Sequence, residues 1–352
     1  MIDWTSFVAP CFHLNPISNG SVLSVNVDGE TEWETRKAYQ AVGSHDSSVR
    51  IKTVAVNEQG HGTHIYVDGN PIKFMQGHNL FGTDNLHSLL YGFLSHLCPM
   101  PDLYLSPTDL DRERWAQGDI ELSRVDCTYM FDVGSPDNAN AWIRHAEQYA
   151  TFSHRGKGQI GKGSTLYFGK HSRRSALKFY PKGEEFKKHA HPDFLLNPSL
   201  LDYANKSLRA EAVIRSMELK RLNLNLVKNW DTDTCSYLVN YYLKRLNMSE
   251  VKALVSDQSE NLKPRLKAVY ELWKLGHDIK SMYPRATYFR YRNEIKKEIG
   301  IDIAVLQPSQ KDDSMKNVVP FVRIIEAKPM GIPDWAYGTD LYYEPPALKL
   351  VR

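Results

Sequence analysis

A tyrosine between two lysines is the part of this sequence best suited to chemistry. Lys178, Tyr180 and Lys182 occupy alternate positions in the segment 175–183. In an extended strand alternate side chains share a face, so these three point one way and the apolar residues between them point towards a core. Neighbouring cations favour a phenolate and can neutralise charge on a phosphoryl oxygen. Tyr180 is therefore a candidate nucleophile towards phosphate, although a strand tyrosine on a solvated sheet face would show the same pattern.

Two further predicted strands carry carboxylates. Glu121–Asp132 is one, and Ser207–Arg215 is the other, with a helix as its alternative. Their polar faces hold Arg124, Asp126 and Thr128 on the first strand and Arg209, Glu211 and Arg215 on the second. If both neighbour the tyrosine strand in one antiparallel sheet, Asp126 and Glu211 suit a hard cation such as Mg²⁺ or Mn²⁺. Exposed strand faces with cross-strand ion pairs are the alternative.

A His-Asn pair flanked by glycines is the third candidate feature. The segment 74–82 reads F-M-Q-G-H-N-L-F-G, at a predicted strand-to-helix junction. A neutral imidazole at His78 could be a further metal ligand. The alternative is a turn in which His78 or Asn79 bonds to local backbone. His61 and His64 form a weaker candidate pair.

Basic residues concentrate beside the tyrosine. Residues 1–150 carry 9 Lys and Arg against 19 Asp and Glu, whereas the rest of the chain carries 35 against 22. Residues 151–190 alone hold 10 basic and 2 acidic side chains. A segment this basic indicates a polyanionic partner, most simply nucleic acid. A solvated loop rich in Lys and Gly is the other interpretation.

Cysteine usage and hydropathy indicate the compartment. The four cysteines stand far apart and form no C-x-x-C pair, which argues against a thiolate zinc site and fits a reducing environment. The segment MIDWTSFVAP lacks the basic start and apolar core of a signal peptide. No apolar run approaches the length that spans a bilayer. We expect a soluble, cytoplasmic protein without a membrane partner.

The predicted strands and helices that position these residues divide the chain into two parts, one of mixed strands and helices and one that is mainly helical. Beside the strands named above, the first part contains predicted strands at Ser21–Asp28, Arg50–Asn57 and Thr63–Asp68 and helices at Asp84–Leu97, with Thr83 as N-cap, and Asp137–Ala150. The later part contains predicted helices at Asp231–Leu246, Ser249–Ser256, Leu262–Gly276 and from Pro284 to about Ile299, and a strand at Val318–Ile325. We expect an α+β domain over residues 1–220 and a mainly helical domain with an extended tail over 221–352.

Six motifs in a fixed order give the sequence a resemblance. They are Q-G-H-N-L-F-G-T at 76–83, S-R-V-D at 123–126, S-T-L…Y-P-K at 164–182, N-P-S-L-L-D-Y-A…L-R-A-E-A-x-I-R at 197–215, Y-P-R-x-x-x-x-R-Y at 283–291 and N-V-V-P-F-V-R-I-I at 317–325. The sequence resembles the gene II replication initiators of filamentous bacteriophages over about residues 70–340. The middle motifs are also similar to plasmid rolling-circle initiators, and residues 1–60 match no family we can name.

The resemblance implies a fold and an activity. Members of this family nick the plus strand at the double-strand origin, keep the 5′ end on a tyrosine, and later rejoin the displaced circle. The implied fold is an antiparallel-sheet nicking domain of the rolling-circle initiator (HUH-like) type. Tyr180 matches the family's tyrosine, Asp126 and Glu211 match its acidic positions, and His78 matches its H-N motif. The His-hydrophobic-His metal motif of related enzymes does not occur here, so this sequence departs from them in its metal-ligand pattern and not in its tyrosine.

The partners that the resemblance implies are phage origin DNA, single-stranded DNA, and host replication proteins such as a helicase and a polymerase. An oligomer on the origin is compatible with this role. The residues expected to contact DNA are Lys170, Arg173, Arg174, Arg124, Arg209 and Arg215. Tyr167, Phe168 and Tyr129 are candidates for base stacking, with core packing as the alternative. Two other interpretations stay open: a DNA-binding replication or repressor protein without catalysis, and a plasmid-type initiator or mobilisation relaxase.

Overall fold

A nine-stranded antiparallel sheet organises the computed structural model, which describes residues 1–153, 156–160, 164–248, 262–274, 277–299, 303–304 and 329–348. In spatial order its strands are β10 (Gln159–Ile160), β11 (Leu166–Phe168), β12 (Ser175–Pro181), β13 (Ser207–Arg215), β7 (Glu121–Asp132), β1 (Ile2–His13), β6 (Gly62–Gly69), β5 (Ser48–Val56) and β4 (Tyr39–Val42). Every pairing in this sheet is antiparallel. The α+β class is confirmed, and 207–215 is a strand rather than a helix.

The remaining strands lie outside the main sheet. They are the hairpin β2 (Ser21–Val25) and β3 (Thr31–Arg36), and a small sheet of β14 (Leu246–Met248), β8 (Ala150–Phe152) and β9 (Gly156–Lys157). The hairpin is mostly exposed, so its valines and Leu23 contribute little to a core.

Helices cover the sheet and continue beyond it. They are α1 (Pro71–Gln76), α2 (Leu86–Leu97), α3 (Asp109–Ala116), α4 (Pro136–Tyr149), α5 (Lys182–His189), α6 (Pro192–Leu195), α7 (Pro198–Asn205), α8 (Ser216–Arg221), α9 (Thr234–Leu243), α10 (Pro264–Lys274), α11 (Ile279–Met282) and α12 (Arg285–Ile299). The predicted helix after residue 84 is α2, but its N-cap is Asn85 rather than Thr83, because the Asn85 side chain accepts a bond from Ser88 N at 3.0 Å. Among the described residues, no helix is long and apolar enough to cross a membrane.

One face of the sheet is apolar and forms the main core. On three adjacent strands its buried side chains include Val125, Cys127 and Phe131 on β7, Leu177 and Phe179 on β12, and Leu208, Ala210, Ala212 and Ile214 on β13. Trp142 of α4 packs on Phe179, with ring centroids 4.7 Å apart. Burying such a large apolar side chain stabilises the fold by roughly 1.5–3 kcal/mol. The contact fixes β12, so the residue after Phe179 has a defined place on the opposite, polar face.

The sheet's core extends past residue 220. Trp230, Leu238 and Tyr242 are buried in the same cluster as the sheet, whereas Leu266 and Ile295 belong to a separate cluster formed by the later helices. We therefore propose a domain boundary between residues 248 and 262, later than the expected position near 220. The predicted elements Ser249–Ser256 and Val318–Ile325 lie outside the described residues.

Candidate active site

Tyr180 and Glu211 meet on the polar face of the sheet. Lys178 of β12 pairs with Glu211 of β13, and Tyr180 pairs with Arg209. The Tyr180 hydroxyl donates to Glu211 Oε2 at 3.2 Å. Burial raises the pKa of Tyr180 well above its ordinary value, and the Arg209 charge opposes this only in part. The expectation that flanking lysines favour the phenolate is therefore wrong for this state: the tyrosine is a neutral phenol that donates to Glu211.

Glu211 and Asp126 share one ammonium group. Both carboxylates are buried, and Lys178 Nζ forms an ion pair with Glu211 Oε1 and lies 4.0 Å from Asp126 Oδ2. Burial raises the pKa of Glu211 to about 8. The Lys178 charge acts to lower this pKa, whereas the Asp126 charge raises it further. Burial alone would lower the pKa of Lys178, but the two carboxylates outweigh it and raise that pKa. Lys178 thus neutralises the carboxylates rather than the phenol.

Arg124 is tied to Asp126. Its Nε donates to Oδ1 at 2.8 Å and its Nη2 to Oδ2 at 2.6 Å, a two-pronged geometry that orients the carboxylate. The guanidinium also lies 5.4 Å from the ring of Trp4. The side chain keeps 36 % of its surface exposed, so it can still meet a phosphate.

Arg209 and Lys182 are buried, against expectation. The Arg209 guanidinium has no exposed surface and contacts Asp3 Oδ1 at 3.3 Å and the Asn79 carbonyl. It cannot reach DNA in this conformation, so the expected DNA contact is wrong. Lys182 lies in the first turn of α5 rather than on the strand, because Pro181 ends β12. Its Nζ donates to Asn79 Oδ1 at 2.7 Å and pairs with Glu185.

The structure does not bring His78 to the carboxylates. Its ring is 1 % exposed and packs edge-on against Phe81 and Phe194, with centroids 4.9 and 5.3 Å away. Burial, with the Lys182 charge, lowers the pKa of His78 to about 3. The neighbouring Asn79 is the residue that reaches the site, because its Nδ2 donates to Asp3 Oδ1 at 2.7 Å. The H-N segment therefore contacts Asp3 through Asn79.

The other histidines of the sequence analysis lie elsewhere. His61 packs edge-on against Phe12, with ring centroids 5.6 Å apart, and His64 Nδ1 is 3.1 Å from the Thr63 hydroxyl. In the described part of the chain, one group of three or more His, Cys, Asp or Glu has ligand atoms within 4.8 Å of one another, and it contains none of His61, His64 and His78.

Two carboxylates fit a magnesium ion by donor type. Mg²⁺ is usually held by one or two carboxylates, with water and substrate phosphate completing its octahedron. Asp126 and Glu211 offer that set, whereas Asp3 Oδ1 is already committed to Asn70, Asn79 and Arg209. The Lys178 ammonium lies between the two carboxylates, so an entering cation must displace it.

An arginine-lined groove adjoins the carboxylates. This shallow cavity of about 440 Å³ is lined by Ser6, Arg50, Tyr66, Asp68, Ser123, Arg124, Arg173, Arg215 and Ser216. Three of the predicted DNA contacts, Arg124, Arg173 and Arg215, line it, and Arg215 also donates to the Ser172 carbonyl at 2.7 Å. Arg174 and Lys170 are exposed in the adjoining turn. We call this cavity the arginine groove.

The three aromatic candidates separate. Phe168 is fully buried in the core, and Tyr129 points to the helical side, where its hydroxyl donates to the Ser236 carbonyl at 3.2 Å. Tyr167 is partly exposed opposite Lys178, with Lys170 Nζ 5.3 Å from its ring. Of the three, Tyr167 has the position for base stacking.

Several residues of the polar face were not among the predicted site residues. Asp3 anchors Arg209, and Asp68 accepts bonds from Trp4 Nε1 at 2.8 Å and from the Ser6 hydroxyl at 2.5 Å. Asp3 and Ser6 sit in β1, which was not predicted at all. A buried aspartate is detectable in sequence only once its strand has been placed in the sheet.

Comparison with known proteins places the chain in a family. A family model described as the N-terminal part of a phage replication-associated protein, of the gene II type, matches residues 1–233, and one for the C-terminal part of the same protein matches residues 254–342. The chain belongs to this family of gene II replication-associated proteins. The replication-associated protein of Enterobacteria phage I2-2 is 39 % identical over 338 residues, which cover 95 % of each chain. The family match begins at residue 1, so residues 1–60 belong to the shared region although no resemblance was found there.

One solved structure also overlaps with this member of the gene II family. It is a rolling circle replication initiator protein from Geobacillus stearothermophilus, 12 % identical, with a TM-score of 0.32 over 73 % of this chain and 89 % of that one.

Proposed function

We propose that this chain initiates rolling-circle replication of phage DNA in the host cytoplasm, by nicking the plus strand at the double-strand origin and later rejoining it. The observation that carries the proposal is the 3.2 Å bond from the Tyr180 hydroxyl to Glu211, a buried carboxylate beside Asp126 and Lys178. Burying carboxylates is costly, and a tyrosine with a purely structural role has no need of them.

Nicking transfers one phosphodiester bond to the tyrosine. The phenol proton passes to Oε2 of the ionised form of Glu211, and the phenolate oxygen attacks the scissile phosphorus in line with the 3′ oxygen. The new bond joins Tyr180 Oη to phosphorus while the bond from phosphorus to the 3′ oxygen breaks. The leaving oxygen takes a proton from Lys178 or from water. Rejoining is the reverse, with a free 3′ hydroxyl attacking the phosphotyrosine, so no external energy source is required.

Asp126 and Glu211 would hold one Mg²⁺ or Mn²⁺, with His78 omitted from the ligand set originally expected. When bound, the cation supplies charge stabilisation to the non-bridging phosphoryl oxygens. Arg124 keeps Asp126 oriented towards it through its two-pronged bond. With the carboxylates committed to a cation, the Lys178 ammonium would be available to the phosphate.

The arginine groove and Tyr167 would hold the DNA strand beside the site. Arginines contact phosphates without reading sequence, whereas an exposed aromatic ring stacks on an unpaired base. Their placement on either side of Lys178 and Glu211 supports a strand that crosses the polar face, with the nick above Tyr180.

The test compares two tyrosine variants on supercoiled origin plasmid with Mg²⁺. Tyr180→Phe removes only a hydroxyl, so melting temperature should change little while open-circle product falls by at least about 10⁴-fold. Tyr167→Phe is the matched control, because that tyrosine lies on the adjacent strand and keeps its ring for stacking. Transfer of label from an internally ³²P-labelled origin strand to the protein should occur in wild type and Tyr167→Phe only.

The rival functions give different results. A DNA-binding protein without catalysis would leave the plasmid supercoiled in all three proteins. Normal nicking by Tyr180→Phe would assign the nucleophile elsewhere. A plasmid-type initiator or relaxase would share the covalent intermediate but would cleave a plasmid origin instead of the phage one.

A further inference from the structure

A second group of metal-ligating side chains lies away from the carboxylates. His45, His191 and Asp193 each offer one ligand atom, and these atoms lie within 4.8 Å of one another. His45 comes from the turn between β4 and β5, whereas the other two flank and begin α6, much later in the chain. Convergence of two imidazoles and a carboxylate from distant segments is not a product of local sequence.

The backbone around His45 is unusual. His45 and Asp46 both adopt the left-handed region, with φ of 49° and 57°. Two successive non-glycine residues there cost free energy, and such conformations persist where surrounding structure determines them. The turn is anchored by the Ser44 hydroxyl, which donates to the Phe74 carbonyl at 2.9 Å. The strained turn directs a second carboxylate, that of Asp46, to 3.9 Å from His191 Nε2.

We propose that His45, His191 and Asp193 bind a divalent transition metal of the borderline class, with Zn²⁺ as the representative ion. Two imidazole nitrogens and one carboxylate oxygen are a donor set that suits such metals and not Mg²⁺. Water completes the coordination. The ligands are partly exposed, so the ion can enter from solvent.

The bound metal would stabilise the position of the H-N segment, which contains His78 and Asn79. The His45 ring lies over Gly77, because a Cβ added to that glycine would be 2.5 Å from His45 Cδ2. The centroid of the His45 ring is also 4.5 Å from that of Phe194, and the Phe194 ring packs on His78 as well. A metal that joins His45 to α6 would therefore also hold the segment around Gly77 and His78 in place. This segment positions Asn79, which bonds to Asp3 and Lys182. The metal has a structural role here and takes no part in phosphate chemistry.

The test is a Co²⁺ titration of metal-free protein, followed through the visible d–d bands and then displaced by Zn²⁺. Wild type should show the intense bands of a low-coordinate nitrogen and oxygen site, which differ from the weak bands of an octahedral ion at Asp126 and Glu211. His45→Asn, which tolerates the left-handed backbone, and His191→Asn, which can still cap α6, should each weaken binding by about tenfold or more. His171→Ala, an exposed histidine in the turn before β12, is the control and should bind as wild type does.

Two outcomes decide the proposal. Zn²⁺ should raise the melting temperature of Glu211→Gln, but not of Glu211→Gln combined with either histidine variant, because only an ion bound to the folded state stabilises it. Retention in Glu211→Gln separates this site from the proposed catalytic one. Equal Co²⁺ spectra in wild type, His45→Asn and His191→Asn, and equal Zn²⁺ stabilisation of Glu211→Gln with and without these substitutions, would overturn the assignment.

Discussion

Glu211 lies between the Tyr180 hydroxyl and the Lys178 ammonium, with Asp126 beside it. Because burial and the Asp126 charge favour the protonated acid, the folded protein holds a proton on Glu211 at pH values where the unfolded chain has lost it. Glu211 can therefore exchange a proton near neutral pH, but its burial lowers the free energy of unfolding. A cation bound by the two carboxylates would remove that cost.

Glu211→Gln should stabilise the metal-free protein, and more so at alkaline pH. The pKa of Glu211 is raised from 4.5 to about 8. Its contribution to stability is present below the lower value and is lost as pH rises through this window. Melting temperatures in EDTA at pH 5 and pH 9 should show a larger gain for the variant at pH 9.

Glu185→Gln is the matched control with the opposite sign. Burial raises the pKa of Glu185, but the Lys182 charge outweighs it, so the net shift is downward. This carboxylate stabilises the fold above its unfolded pKa, and the stabilisation is lost as pH falls. The variant should be less stable than wild type at neutral pH and approach it in acid. The same sign for both glutamates would contradict the assigned electrostatics.

At the scale of elements, alternation predicted the strands that carry the chemistry but not their limits. β7, β12 and β13 each alternate between polar and apolar residues, and the expected shared face for Tyr180, Asp126 and Glu211 is what the structure contains. The alternation was extended one position too far, because Pro181 ends β12 and Lys182 starts a helix. Local pattern also cannot show that Arg209 is buried by Asp3, a residue 206 positions away.

β1 was missed for a related physical reason. Its burial is nearly continuous, since it pairs on both sides and is covered on both faces, and a strand of this kind lacks alternation. Its polar residues looked like a mixed segment without a period. The His-Asn pair was recognised, but its function depends on contacts with this unpredicted strand.

Gly69 is the position in β6 where close packing of elements can be tested. A Cβ there would lie 2.5 Å from Val49 Cγ1 and 2.9 Å from Val49 Cβ, so Gly69→Ala should overpack the contact with β5. We expect a loss of about 1–3 kcal/mol in the free energy of unfolding, measured by urea titration. Gly331→Ala, with nothing within 4 Å of the added atom, should unfold as wild type does.

At the scale of the whole molecule, the positive groove does not follow the charge asymmetry of the sequence. Arg50 and Arg124 come from the acidic first part and Arg173 and Arg215 from the basic later part, and all four line the same groove. Sequence counts showed the imbalance but could not place the positive surface. That placement determines where a polyanion would lie.

Arg173→Ala should weaken origin binding equally for all sequences and flatten its salt dependence. One lost phosphate contact reduces the slope of log affinity against log salt by about 0.9 for duplex or 0.7 for single strands. Arg265→Ala is the control, because that side chain pairs with Glu294 in the separate helical cluster. An unchanged slope for Arg173→Ala would show that this arginine faces away from DNA.

The position of β1 in the sheet also constrains when the protein can work during its own synthesis. Thr5 pairs with Gly69 on one side and Val125 on the other, and β13 then joins β7. On the ribosome the first strand must wait for partners made much later, and Tyr180 cannot meet Glu211 until residue 215 has emerged. A nascent chain that has not yet exposed residue 215 thus lacks the Tyr180–Glu211 pair, so the proposed DNA cleavage requires synthesis to be well past its midpoint.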